Sequence, residues 1–403
     1  MRILFISWDA PFVNYVESLF LPAFVGLKQH DIHVDILQFR WGATEAREKL
    51  AAECAAHGIG YASVPLWRRP TNSLGTLLTI VRGKWAIRSA VRKFKPDVIM
   101  PRGLFPAMAA LLAGGRTLRP VIFDADGLEA DARVEGGLSQ TGIAYRVMRE
   151  VEAQAARISE ATLVRTRFNA EVIRIRAGPL MGENRLHVMT CGRDSETFKP
   201  LSEQERRSVR NSLGFAESDP VVVYIGSVWA QYRTADIARF VAALRKREPA
   251  AKLLFLTGQV EEARRLLCEG DTNVGADAVI MTASAADAPK LIAAADVGMS
   301  LFKVGFGSRA QSPIKLGEYL MCGVPVIGTV AVGETGPAVE AGVFFDESAG
   351  PEAAAEWLLG KVMPARREIS ATAREIGVSC FSLNRTVEQY VRVVESVELS
   401  RRR

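Results

Sequence analysis

The sequence predicts an α/β protein made of two Rossmann-like domains, with parallel sheets facing an inter-domain cleft. Three observations carry this. Short apolar runs alternate with longer segments of helical periodicity along the chain. Most of the runs are near-continuously apolar, as in strands covered on both faces. The alternation occurs twice, with a break around residues 199–205, and strand–helix alternation implies parallel sheets joined by right-handed crossovers.

In the first half, strands are expected at 3–6, 32–37, 97–100, 121–123, 161–164 and 186–189, with a weaker one at 61–64. In the second half they are expected at 221–225, 252–256, 279–281, 297–301, 324–327 and 343–345. Helical spacing with charged faces lies between them, as at 234–246 and 262–269. The break assigns residues 1–200 to an N-terminal domain and 201–380 to a C-terminal one. Parallel α/β sheets bind ligands beyond the C-terminal ends of their strands, so the cleft is the expected site.

Composition narrows the functional classes. Of 403 residues, 48% are hydrophobic and 24% charged, which suffices for two cores. No apolar run reaches the ~18 residues of a membrane span. The opening apolar run at 3–6 is too short for a secretory signal and fits a first strand. Cys54, Cys191, Cys268, Cys322 and Cys380 are scattered and form no metal-ligand spacing, so they read as reduced thiols of a cytoplasmic protein. No metal site or cofactor is expected. A dinucleotide dehydrogenase would carry Gly-x-Gly-x-x-Gly after its first strand, but here Ser7, Trp8, Asp9, Ala10 and Pro11 follow. The net charge of +6 suits anionic partners. Nucleic acid is not expected among them, because the cations are dispersed and no stacking pattern or helix-turn-helix appears.

The most informative stretch runs from Ser312 to Ile327. Ser312 is a good N-cap and Pro313 a good first helical residue. Gly323 suits the left-handed position after a helix, and Pro325 stops continuation. Lys315 falls in the first turn, where its charge opposes the helix dipole by ~0.3–1 kcal/mol. A bound phosphate would reverse that sign. Glu318 lies on the same face and can accept ribose hydroxyls; the same spacing also fits an ordinary surface Lys–Glu pair. A second feature begins at Val221: a strand ends in Gly226, a loop follows, and Arg233 opens the next helix. Gly226 would let a ligand approach the backbone, and Arg233 suits a diphosphate. Gly258, after the strand at 252–256, is a weaker third element.

In the N-terminal half, Asp124 and Asp126 follow the strand at 121–123. Either can orient or deprotonate an acceptor hydroxyl, and Asp126 is the candidate catalytic residue; both also fit Asx turns. Arg102 follows the strand at 97–100 and is a candidate for an anionic acceptor. The four histidines, His30, His33, His57 and His187, read as structural or surface residues. Residues 76–95 read as a helix with a cationic stripe of Lys84, Arg88, Arg92 and Lys95 and an apolar stripe of Ile80, Ile87, Val91 and Phe94, with Trp85 at its edge; Trp67, Arg68, Arg69 and Pro70 lie upstream. This pattern fits peripheral contact with an anionic membrane, and equally a domain helix packed on its sheet with a solvated basic face. The terminal Arg401, Arg402 and Arg403 add little.

Taken together, these pieces resemble the retaining glycosyltransferases of family 4, which have the GT-B fold. Met189 to Asp194, with Phe198 and Pro200, resembles that family's inter-domain segment. Gly226 to Arg233 resembles its glycine loop, Ala293 to Val297 the segment before its donor motif, and Ser312 to Ile327 the donor motif in its Ser-Pro-x-Lys-x-x-Glu-Tyr variant. Residues 381–403 resemble the helix that crosses back to the N-terminal domain. The resemblance implies a nucleotide-sugar donor as substrate and a glycan or lipid-linked acceptor. It implies that Glu318 holds the ribose, that Ser312, Pro313, Ile314 and Lys315 surround the diphosphate, and that Arg233 binds it beside Gly226. It also implies catalysis by fixed cations without a metal, in polysaccharide or glycolipid synthesis at the inner face of the membrane. Three features depart from the family: Ala310 stands where many members have a second Glu, no Gly-Gly pair follows the first strand, and no His follows a middle strand. A nucleotide-sugar epimerase of similar fold and a non-catalytic nucleotide-sugar-binding protein are the alternative readings.

Overall fold

The computed structural model describes residues 1–9, 15–41, 44–69, 71–179 and 181–402. Ala10, Pro11, Pro70 and Arg403, cited above, lie outside the described residues. The chain divides into two compact units. The first holds Met1–Met189, Gly305–Gln311 and Thr386–Arg403; the second holds Thr190–Val304 and Ser312–Arg385.

The first unit contains β1 (Arg2–Trp8), β2 (His33–Arg40), β3 (Tyr61–Pro65), β4 (Val98–Pro101), β5 (Ile122–Asp124), β6 (Ala161–Val164) and β7 (Leu186–Val188). Two parallel sheets of order β3-β2-β1-β4 and β5-β6-β7 are tied by bridges from Ile99 to Val121 and from Arg102 to Asp124. The order therefore runs 3-2-1-4-5-6-7. Leu4, Ile6, Leu37, Phe39 and Ile99 pack against Ile80, Ile87, Val91 and Phe94 of the helix Asn72–Phe94. That apolar stripe is core, as in the domain-helix alternative of the two readings the sequence allows. The helix also starts four residues before 76, because Thr71 caps it by accepting from the Leu74 N–H.

Two later pieces of chain complete this unit. The helix Leu383–Arg402 contributes Val387, which lies where a Cβ on Gly26 would stand, and Tyr390, edge-on to Phe24. In the segment 305–311, Gly307 and Ser308 donate their N–H groups to Glu135, and Ala310 packs with Phe123, Ala125 and Leu128.

The second unit contains β8 (Val221–Ile225), β9 (Lys252–Leu256), β10 (Val279–Met281), β11 (Val297–Ser300), β12 (Val326–Gly328) and β13 (Phe344–Asp346). Its parallel sheet has the order β10-β9-β8-β11-β12-β13. β12 starts two residues later than expected. The Val324 N–H still closes the preceding helix onto the Tyr319 carbonyl, and Pro325 has no N–H, so Val326 makes the first bond to Val343. Asp296 is fully buried and accepts from Arg206, Arg210 and the Val221 N–H, which pins the helix Glu203–Ser212 to the sheet. In each unit strand order reverses between the first and fourth strands, β1/β4 and β8/β11, the place where such sheets open a crevice.

Candidate functional site

The second unit builds its site at the C-terminal ends of β8 and β11. The helix Ile314–Met321 is positioned from two sides. The Tyr319 hydroxyl accepts from the Ile225 N–H at 2.9 Å and donates to the Met299 carbonyl at 3.3 Å, fixing the helix to both strands. On its other side the helix Arg366–Phe381 lies close, because a Cβ at Gly377 would strike the Met321 backbone and one at Gly317 would meet Phe381 at 2.6 Å. Gly323, at φ +73°, takes the left-handed position that ends the helix.

The helix start differs from the expected one. Helical geometry begins at Ile314, and the N-cap is Pro313, not Ser312. Proline has no side-chain acceptor, so no side chain caps the first N–H groups. An uncapped start carries the positive end of the dipole toward whatever anion approaches.

Lys315 is 8% exposed, and its Nζ has no hydrogen-bond partner among the described residues. It sits 4.0 Å from the ring centroid of Tyr224, 4.4 Å from that of Tyr232 and 5.8 Å from that of Phe302. Burial pushes its pKa down to about 7, only partly opposed by the charge of Glu318. Gly226 lies beside it at φ +140°, a conformation that favours glycine, and a Cβ there would lie 3.0 Å from Nζ.

Glu318 pairs with Arg193 and not with Lys315. Glu318 Oε1 lies 3.0 Å from Arg193 Nε, so Arg193 supplies the main countercharge. Burial raises the Glu318 pKa, while Arg193 and Lys315 oppose the shift. Arg193 falls within the segment Met189 to Asp194, where nothing in the sequence marks it as the partner of Glu318.

Arg233 stands at the N-cap position of the helix Thr234–Arg245 without a side-chain cap, and its guanidinium is engaged by Asp236 Oδ2 and Glu347 Oε1, both at 2.5 Å. It borders a cavity of about 100 Å³ that is also lined by Phe240, Met299 and Ile327. Gly258 follows β9, and a Cβ there would meet open space, so no close approach within the protein demands glycine.

The first unit gathers a separate charged cluster at the ends of β4, β5 and β6. Asp124 is fully buried. It accepts from Arg102 at 2.8 Å and from Arg165 at 2.6 and 2.8 Å. Asp126 binds the same two guanidiniums, at 2.7 and 3.1 Å. Its backbone is left-handed, at φ +57°, and its N–H donates to Asp124 Oδ1, the Asx-turn geometry. Burial would raise the Asp126 pKa, but the charges of Arg102 and Arg165 prevail and it titrates below the ordinary value. A carboxylate held ionised by two cations is a weak base. Sequence reasoning missed Arg165, which is distant in the chain from its partners. It also missed Tyr224 and Tyr232, which read only as strand and loop residues.

Ala310, where many family 4 transferases have a Glu, is fully buried in the first unit's apolar core.

The fold is shared with solved structures over nearly the whole chain. HepE from Anabaena in complex with UDP is 17% identical over 98% of this chain and all of that one, with a TM-score of 0.70. The glycosyltransferase WaaG, involved in lipopolysaccharide biosynthesis, is 13% identical over 98% and 99%, at 0.67. UDP-GlcNAc 2-epimerase from Neisseria meningitidis, bound to UDP-GlcNAc, is 14% identical over 99% and 100%, at 0.61. No curated protein sequence matches the chain. The architecture is the α/β fold with parallel sheets of the GT-B glycosyltransferases. Within it, residues 219–360, which include Lys315, Glu318 and Arg233, match the family model described as Glycosyl transferases group 1.

Proposed function

We propose that this protein is a retaining glycosyltransferase that moves a sugar from a nucleotide-sugar donor to a glycan or lipid-linked acceptor. The observation that carries this reading is the uncapped helix start at Ile314 with the Lys315 ammonium beside it, which has no hydrogen-bond partner among the described residues. A buried cation without a counterion is costly unless a ligand supplies one. The diphosphate of the donor supplies it, and Glu318 then meets the ribose with its geometry set by Arg193. When the glycosidic bond to the diphosphate breaks, negative charge develops on the leaving oxygen. Lys315 and the helix dipole stabilise it without a metal, and Arg233 joins them by exchanging its pairing with Asp236 and Glu347 for the diphosphate. The matched family model and the UDP bound by HepE support the same reading.

Asp124, Asp126, Arg102 and Arg165 belong to the acceptor side in this proposal. Their role there is to position hydroxyl or anionic groups of the acceptor. The free cysteines agree with a cytoplasmic location, and the product belongs to a cell-surface polysaccharide or glycolipid.

Titration calorimetry with UDP-, GDP-, ADP- and dTDP-sugars tests the donor site. One of them binds the wild type, and Lys315→Ala and Glu318→Ala each lose that binding while keeping the native circular dichroism spectrum. Undiminished affinity in both variants refutes the assignment. Incubating the donor alone separates transfer from epimerisation, because only an epimerase converts it to an isomer.

A further inference from the structure

Glu347 stands at the C-terminal edge of the second unit's sheet, one residue past β13. The register of β12 and β13 pairs Gly328 with Asp346, so the residues that follow, Thr329 and Glu347, come side by side. The Thr329 hydroxyl donates to Glu347 Oε1 at 3.2 Å and accepts from the Phe302 N–H at 3.0 Å. Phe302 packs on Tyr232 with ring centroids 5.1 Å apart, and the Lys315 ammonium lies over both rings. One network therefore joins the Glu347 carboxylate to the aromatic cage around Lys315 and, through the ion pair, to Arg233.

The carboxylates on Arg233 differ in kind. Asp236 lies one turn along the same helix and also binds Arg239, so it keeps a cation if Arg233 leaves. Glu347 is brought in from 114 residues further along the chain, and its side chain is only 15% exposed. A shielded charge that loses its counterion is left worse off than a solvated one. The pair therefore opposes any anion that takes the guanidinium. A cavity of about 100 Å³ borders both Arg233 and Glu347. It has room for water, which can solvate the carboxylate once it is released.

We propose that Glu347 competes with the donor diphosphate for Arg233, and so sets how tightly a nucleoside diphosphate is held and how readily it leaves after sugar transfer. The inference rests on the donor site proposed above and makes Glu347 a positioning residue that acts through Arg233. An anion that reaches only Lys315 leaves the Arg233–Glu347 pair in place. A diphosphate has a second phosphate group with which to break it. Breaking the pair takes up part of the binding free energy, as in any ligand that must first displace its receptor's resting state. The pair re-forms as the product departs, which favours release.

Titration calorimetry of the full chain with UDP, GDP, ADP and dTDP tests it. Glu347→Gln keeps the shape of the side chain and removes its charge. For the diphosphate that the wild type binds, this variant should bind about tenfold more tightly, a charge effect moderated by water at a partly exposed pair. A merely structural role would weaken binding or leave it unchanged. In an Arg233→Ala background the same substitution should change affinity by less than about twofold, because no guanidinium remains to be released. Unchanged or weaker binding by Glu347→Gln overturns the proposal, and so does an equal gain in the absence of Arg233. If the wild type binds none of the diphosphates, the donor reading falls and this inference with it. If the wild type binds one and Glu347→Gln gains nothing, this inference falls alone.

Discussion

The Lys315 ammonium stands 4.0 Å from the Tyr224 ring centroid, held by aromatic faces with no hydrogen-bond partner among the described residues. A cation over a ring is stabilised by the ring quadrupole, but far less than by an anion in direct contact. This arrangement ties donor binding to proton uptake. With its pKa lowered to about 7 in the free protein, Lys315 is charged below that pH and neutral above it. A diphosphate favours the ammonium, so binding above pH 7 must draw in a proton. The affinity for a UDP-sugar should be flat below pH 7 and fall about tenfold per pH unit above it. Calorimetry between pH 6 and 9 reads this directly, and a flat profile contradicts it.

The same burial has a cost in stability. The unfolded chain holds the Lys315 proton up to pH 10.5, whereas the folded chain releases it at about 7. Between those values the unfolded state binds more protons, so this group's contribution to stability rises with pH. At ~1.4 kcal/mol per pKa unit, the cost below pH 7 is at most about 5 kcal/mol. Lys315→Met removes it while roughly keeping the volume. The variant should melt at a higher temperature than the wild type at pH 6, and the gap should close toward pH 10.5. Its donor binding should be lost. A lower melting temperature at pH 6 would show that the cation is already compensated.

Asp126 gives the opposite sign. Its carboxyl titrates below the usual 3.8, held down by Arg102 and Arg165 against the effect of burial. Its stabilisation is therefore full above the unfolded value and disappears as pH falls through the lower, folded one. Asn tolerates the left-handed backbone, so Asp126→Asn isolates the charge. With 41% of the side chain exposed, water screens the pair, and the loss at pH 7 should be about 1 kcal/mol by urea unfolding. The kcat profile between pH 5 and 8 should contain no ionisation from this residue. A bend in the wild-type profile that vanishes in the variant would show that it acts as a base.

Asp296 belongs to folding rather than to the site. It accepts from two guanidiniums and a backbone N–H with no solvent contact for its side chain. Removing it leaves Arg206 and Arg210 buried without their counterion. Asp296→Ala should destabilise the protein by about 3–5 kcal/mol. Chemical denaturation measures this, and a change below about 1 kcal/mol would mean that water replaces the carboxylate.

The periodicity of apolar residues was enough to locate the strands of both units, because a strand buried on both faces needs an unbroken apolar run. Gly226, Gly323 and the spacing of Lys315 and Glu318 were also legible, since backbone conformation and helix pitch are local properties. What surrounds those residues was not. Nothing in the chain near Glu318 names Arg193 as its countercharge, and nothing near Asp124 names Arg165. Ser312 has the chemistry of a cap but lies one residue too early to act as one. The helix Asn72–Phe94 has apolar residues on two sides, and sequence alone assigned only one of them. The amino-acid order determined which segments become strands and helices. The tertiary structure decided which charges meet, which apolar face is covered and how far each ionisable group is desolvated, because those depend on residues brought together from distant parts of the chain.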